Sequence, residues 1–325
     1  MFHLNFNPSV SSEKINHQQD LLFIGSCFSE HISKKFLDLK FSIESNPFGI
    51  VFNPHSIYST LLNCINNAEV DDLHYLERDE NWFCLEAHSS MYASEKKQLQ
   101  SVLIHNTLQW HHKLKSATWL VITFGSAYAY EFKQTNKIIA NCHKLPSQLF
   151  SKKLMSSQDI VSDYNELIKN LQLINPNLKI LFTVSPVKHL RDGVIENNLS
   201  KAVLIQSVHQ LISKHLNCFY FPAYELVLDD LRDYRFYQLD MAHPNSQAIN
   251  YVFEKFMDVY FSDETKLINF QISEIQKAFN HKPYNNQNLF HEAFKQSMVL
   301  KCNNLLNQFP FLNLTKEINY FKHKE

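Results

Sequence analysis

Two short clusters in this chain hold residues of the kind that do chemistry. Ser26 and Cys27 stand side by side behind Gly25, and Asp240 and His243 stand three residues apart much later. A hydroxyl or thiol becomes an effective nucleophile when a base takes its proton and a third group orients that base. An aspartate and a histidine on one turn can supply both functions, the carboxylate holding the tautomer of the imidazole. The surroundings of the first cluster suit a nucleophile. Leu21-Leu22-Phe23-Ile24 reads as a buried strand cut short by Gly25, and Phe28, Ile32, Phe36 and Leu39 then recur at helical spacing. Ser26 and Cys27 therefore fall at a helix start, where free N–H groups and the helix dipole stabilise a thiolate or an oxyanion. In the plain alternative Ser26 only caps the helix, Cys27 is a small buried residue and Asp240 caps a turn.

These clusters must be brought together by the elements between them. Thr118–Phe124, Lys179–Val184 and Cys218–Phe221 repeat the short apolar run of 21–24. Helical patterns fill 55–66, 95–115, 159–174, 199–215 and 246–260. Strands alternating with helices predict a mainly parallel sheet covered on both faces, a three-layer α/β/α sandwich. Phe41–Glu44 reads as a half-buried strand, Trp82–Leu85 as another, and Tyr128–Phe132 is expected to pair with 137–140. Residues 1–20 read as a polar lead-in arm. A domain over 1–260 and a helical extension over 261–325, interrupted near His281-Lys282-Pro283, complete the expected organisation. Ligands of such sheets bind beyond the carboxyl ends of the strands. There Gly25-Ser26-Cys27, Gly125-Ser126-Ala127 and Ser185-Pro186-Val187 should converge.

Gly25-Ser26-Cys27-Phe28-Ser29 resembles the signature of the GSCFA family, with Ser29 where alanine is usual. Asn46-Pro47-Phe48-Gly49, Asn141-Cys142-His143-Lys144, Ser185-Pro186-Val187 and Asp240-Met241-Ala242-His243-Pro244 resemble its other blocks, in the same order. That family is similar to the SGNH (GDSL-like) hydrolases, which implies a flavodoxin-like sandwich and acyl-enzyme chemistry. Aligned on Gly25, the nucleophile position of the Gly-Asp-Ser motif holds Cys27, while Ser26 would serve only after a one-residue shift. The resemblance implies oxyanion donors at the nucleophile's own N–H, at Gly49, and at an asparagine for which this chain has Gly125-Ser126. Asn46, Asn141 or the Ser126 hydroxyl could replace that asparagine, and one lost donor costs about 3 kcal/mol of transition-state stabilisation. His88 and His143 could shape the pocket, and Arg191, in the charged run 188–193, could bind an anionic group.

Near-neutral charge (formal net −1) argues against a nucleic-acid partner. No apolar run is long enough to span a bilayer, and no signal peptide is evident, so the expected location is cytoplasmic. Six dispersed cysteines suggest reduced thiols. Despite seventeen histidines there is no metal-type spacing, so neither metal nor cofactor is expected. The expected partner is a small-molecule or saccharide ester. The expected activity is ester hydrolysis, with acyl-CoA-dependent transfer to a saccharide and a catalytically silent binding module as alternatives.

Overall fold

The computed structural model describes residues 4–280 and 289–322. The chain starts β1 (Asp20–Gly25), α1 (Cys27–Asp38), β2 (Ser42–Ser45) and α2 (Pro54–Asn66). Asn53 caps α2, its Oδ1 accepting the Ser56 N–H at 2.8 Å, and Pro54 occupies the first helical position, where no N–H is needed. Then come β3 (Tyr75–Arg78), β4 (Asn81–Cys84), β5 (Tyr92–Ala93), α3 (Lys96–Ser116), β6 (Trp119–Phe124), β7 (Tyr128–Phe132), β8 (Lys137–Ile139) and β9 (Phe150–Leu154). The second half runs α4 (Ser157–Ile174), β10 (Lys179–Val184), α5 (Val194–Lys214), β11 (Cys218–Tyr220), a short α6 (Ala223–Glu225) continued by a π-turn, α7 (Ser246–Tyr260), α8 (Asp263–Asn280), α9 (Leu289–Gln308) and α10 (Thr315–Lys322).

Five parallel strands form the central sheet in the order β11-β10-β6-β1-β2. Counted along the chain within this sheet, that is the 2-1-3-4-5 order of a flavodoxin-like fold, with its switch point between β1 and β6. The expected sandwich is present. Alternate side chains of each strand enter opposite cores. Leu22, Ile24, Leu120, Ile122, Ile180 and Phe182 pack against α2, α3, α4 and α5. Leu21, Phe23, Trp119, Val121 and Leu181 pack against α1 and α7. Ile268, Ile272 and Ile275 of α8 and Cys302 and Leu305 of α9 lie in that second core, so the C-terminal helices share it with α1. Two small antiparallel sheets, β3-β4-β5 and β8-β7-β9, stand at the carboxyl edge, and the expected pairing of 128–132 with the strand after it is observed. The interruption expected near residues 281–283 lies outside the described residues.

Two expectations need correction. The helix expected to begin at Leu199 begins at Val194, just after Gly193, whose φ of 107° turns the chain. The first turn escapes an amphipathic reading because Val194 and Ile195 are exposed. The lead-in arm is not merely polar lead-in: Ile15 is fully buried and its N–H donates to Tyr260 O at 2.8 Å. The arm's His17 is buried as well, stacked on Phe41 at 4.0 Å, with its Nε2–H donated to Leu39 O at 3.1 Å.

Burial pushes the His17 pKa down to about 4. The folded chain thus resists protonation at this ring between pH 4 and the unfolded value near 6.5, while the unfolded chain accepts it. The contribution is fully present above pH 6.5 and is lost as pH falls towards 4, by up to about 3 kcal/mol. Urea denaturation at pH 7 and pH 4.5 should show this loss, and His17→Gln should flatten the dependence. An equal loss in the variant would assign the acid sensitivity elsewhere.

Candidate active site

Gly25 ends β1 opposite Thr123 of β6, and Thr123 lies opposite Thr183 of β10. At Gly25 φ is +142°, and a β-carbon would lie 2.2 Å from Thr123 O. The turn into α1 therefore requires glycine. The next residue, Ser26, is the N-cap of α1, yet its side chain makes no capping bond. It is 2 % exposed and its hydroxyl has no partner among the described residues. Cys27 is half-buried and reaches the edge of the sheet. Of the two candidate nucleophiles, the thiol is the more accessible.

The expectation that the helix start makes this thiol acidic is corrected by its surroundings. Burial pushes the Cys27 pKa up, against the N–H groups of Phe28 and Cys27, which favour the thiolate. Glu30 raises it further, and Lys201 opposes that shift. Desolvation outweighs the helix start, so the resting group is a thiol that needs a base.

Asp240 and His243 form a dyad. Asp240 Oδ1 accepts the N–H groups of Ala242 at 2.9 Å and His243 at 3.0 Å, and Oδ2 takes the ring Nδ1 at 2.6 Å. The N–H groups of His243 and Ala242, then the imidazole, hold the Asp240 carboxyl down to about 2. Because a carboxylate only accepts, Nδ1 carries the proton and Nε2 remains free to receive another. The dyad loop is tied to the segment after β10 by Lys188 N–H donating to Ala242 O at 3.0 Å. Both clusters thus lie at the carboxyl edge, with Cys27 beyond β1, the dyad beside the exit of β10, and β6 between those strands.

The oxyanion donors differ from expectation. The Gly49 N–H is committed to Asn46 O at 2.9 Å inside its own turn. The Asn46 side-chain oxygen accepts the Gly25 N–H at 2.9 Å, which leaves its NH₂ group to donate elsewhere. Asn46 is therefore the better donor candidate. The Gly125 N–H donates to Phe52 O at 2.8 Å, and the Ser126 hydroxyl is buried against Ser200 Oγ at 3.2 Å, so both serve the scaffold. Asn141 Oδ1 accepts the His143 N–H at 2.8 Å. His143 is buried under the small sheets, its Nε2 bonded to Cys84 O at 2.7 Å, as a structural residue would be. His88 lies against Gly49, whose added β-carbon would meet it at 2.6 Å. Arg191 is exposed on the turn Leu190–Asp192, where its charge only partly offsets the burial that pushes the Cys142 thiol up.

Two residues at this edge were missed in the sequence. His189 packs on Phe52, with ring centres 5.1 Å apart; burial first, and then Lys201, pushes its pKa down to about 4. Lys201 of α5 is 1 % exposed and donates to Gly125 O at 2.6 Å and Ser185 O at 2.7 Å. The signal for Lys201 was its place on the face shared by Asn197, Leu204, Val208 and Leu211, where a solvated lysine does not belong. A groove of about 710 Å³ between α1, α7 and α8 touches Lys35 and Leu39, at the opposite end of α1 from Cys27. Among the described residues no group of three or more acidic, histidine or cysteine side chains could hold a metal ion, and no helix is long and apolar enough to cross a membrane.

The model of the GSCFA family matches residues 20–256, and that of the GSCFA domain protein, C-terminal domain, matches residues 272–325. Among curated proteins there is no match. Similar solved structures include a GDSL-like lipase from Bacteroides thetaiotaomicron, at 7 % identity and a TM-score of 0.38, covering 76 % of this chain and 89 % of that one. An active-site mutant of a family two carbohydrate esterase from Clostridium thermocellum is 13 % identical with a TM-score of 0.39, covering 74 % of this chain and 63 % of that one. An acetyl xylan esterase from Butyrivibrio proteoclasticus is 9 % identical with a TM-score of 0.37, covering 80 % and 65 %. The sheet order, rather than these low scores, defines the architecture.

Proposed function

The chain belongs to the GSCFA family, and on that premise we propose that it is an ester hydrolase working through an acyl group carried on Cys27. The observation that carries this reading is the Asp240–His243 pair, Oδ2 to Nδ1 at 2.6 Å, at the same edge of the sheet as a half-buried cysteine at a helix start. In the proposed reaction His243 Nε2 takes the thiol proton as sulfur attacks the ester carbonyl. The N–H of Cys27 and the Asn46 NH₂ receive the charge that develops on oxygen. His243 then returns the proton to the leaving alkoxide. In the second half, water attacks the thioester with His243 as base, releasing the acid and restoring the thiol. Asp240 stabilises the imidazolium formed in each half.

Labelling tests the reading. Iodoacetamide and, separately, a fluorophosphonate are applied to the chain and the adducts mapped by peptide mass spectrometry. Preferential modification at Cys27 that slows about 10²- to 10⁴-fold in His243→Ala supports an activated nucleophile. Labelling that follows exposure alone and ignores His243 would overturn the reading and favour a silent binding module, towards which the burial-raised Cys27 pKa points. Fluorophosphonate capture at Ser26 would move the nucleophile back by one residue.

A further inference from the structure

Among residues that play no part in the site above, a carboxylate, an imidazole and a hydroxyl are joined in series between the two small sheets. His74, on the turn ahead of β3, is 1 % exposed. Its Nδ1 lies 2.7 Å from Oε1 of Glu86, in the loop after β4. Its Nε2 lies 3.2 Å from Oγ1 of Thr135, in the turn between β7 and β8. The other Glu86 oxygen accepts from Asn63 Nδ2 of α2 at 3.2 Å, so the carboxylate is held at both ends. The main chain fixes the imidazole: His74 N–H donates to Asp71 O at 2.9 Å, and His74 O accepts the Leu85 N–H at 2.9 Å. Because a carboxylate only accepts, Nδ1 carries the proton, and in the neutral ring Nε2 accepts the Thr135 O–H. A hydroxyl is thus placed against a base that a third group orients. Burial is graded in the same sense. The ring is enclosed, Glu86 has a side chain 14 % exposed, and Thr135 is half-buried on a turn whose other residues, Lys133, Gln134 and Asn136, are exposed. The hydroxyl is therefore the end of the series that meets solvent.

We propose that Thr135 is an activated hydroxyl that accepts an acyl group from an activated carboxylic ester, which makes it a covalent modification site separate from Cys27. His74 Nε2 takes the Thr135 proton as Oγ1 attacks the acyl carbon. The bond from that carbon to the leaving oxygen breaks, the leaving oxygen takes the proton from Nε2, and an O-acyl threonine remains. Glu86 stabilises the imidazolium between the two transfers. The turn explains why the acyl group stays. The N–H groups of Thr135 and Asn136 both donate to Phe132 O, at 3.1 and 2.8 Å, so neither is free to receive an oxyanion. An ester with a good leaving group reacts without that help, whereas hydrolysis of the resulting alkyl ester needs the stabilisation that is missing. The hydroxyl is loaded once rather than turned over. Nothing in this step depends on the hydrolase reading, and it stands if that reading fails.

The test is acetylation of the full chain by p-nitrophenyl acetate at neutral pH, followed over time by peptide mass spectrometry. Neutral hydroxylamine removes acetyl esters and leaves acetyl amides, which separates Thr135 from Lys133 and Lys137 on the same turn. Ser116 and Ser213 are the comparison, exposed hydroxyls that face only main-chain carbonyls. The expected result is hydroxylamine-sensitive acetylation of Thr135 about 10²-fold or more faster than at either serine. That advantage should persist in Thr135→Ser and vanish in His74→Gln. A purely structural series would lower the urea midpoint of His74→Gln while Thr135 reacted no faster than the serines, and that outcome would overturn the proposal. So would a Thr135 rate that His74→Gln leaves unchanged. If His74→Gln does not fold, the ratio of Thr135 to the two serines in the unmodified chain decides the matter alone.

Discussion

Cys27→Ala is expected to reduce hydrolysis of p-nitrophenyl acetate by roughly 10³-fold or more, while Ser26→Ala leaves it within about threefold. The contrast follows from exposure and bonding. The Ser26 hydroxyl is buried with no partner among the described residues, so its removal strands no hydrogen-bonding group there. Cys27 is half-buried at the edge, next to the N–H groups that open α1. His243→Ala should cost about 10²- to 10⁴-fold through loss of the base. Asp240→Asn should cost about as much as His243→Ala, because the two N–H bonds hold the amide oxygen at the Oδ1 position, which sets the NH₂ group against Nδ1 and moves the ring proton to Nε2. Steady-state rates on the four variants, with circular dichroism to establish folding, provide the check. The reverse ranking of Ser26→Ala and Cys27→Ala would assign the nucleophile to the wrong residue here.

The second large effect concerns the turn that leads from β1 into α1. Gly25→Ala is expected to destabilise the chain by roughly 4 kcal/mol or more, a large part of the whole stability of an ordinary domain. An added β-carbon meets Thr123 O at 2.2 Å, and φ of +142° is a region that side chains rarely enter. Thr123 cannot retreat, because it is paired on both sides in the centre of the sheet. Gly125→Ala makes the informative comparison. Its β-carbon would meet Phe52 Cβ at 2.8 Å, and Phe52 O and His189 Nε2 at 3.3 Å each. Phe52 stands in the loop ahead of α2, which shifts more easily than a central strand, so the expected cost is about 1–3 kcal/mol. Urea denaturation of both variants measures the difference, and a Gly25→Ala chain as stable as Gly125→Ala would show that the turn relaxes.

The sheet was legible because its strands are buried on both faces, which leaves continuous apolar runs such as Leu120-Val121-Ile122 that no half-exposed element would show. Asp240 and His243 were legible as a pair because they belong to one short turn, where sequence spacing is close to spatial spacing. The oxyanion donors were not. Whether the Gly49 N–H is free depends on a hydrogen bond inside its turn, and residue type carries no record of that bond. The acidity expected of Cys27 failed for a similar reason: a helix start can be read from periodicity, but the burial that outweighs it depends on the whole edge. Lys201 was hidden by its type, since lysine in a helix ordinarily marks solvent; its neighbours on the α5 face contradict that habit.

The core shared by α1, α8 and α9 bears on how the chain is made. Phe28, Ile32 and Phe36, which follow Cys27 on its helix, share that core with Ile272 and Ile275 of α8 and with Leu305 of α9. During synthesis at about 5–20 residues per second, a nascent chain would expose that apolar flank until α8 and α9 leave the ribosome. The first helix translated is thus among the last to be locked in place, and a message cut short after α7 would yield a sticky polypeptide rather than a smaller folded domain.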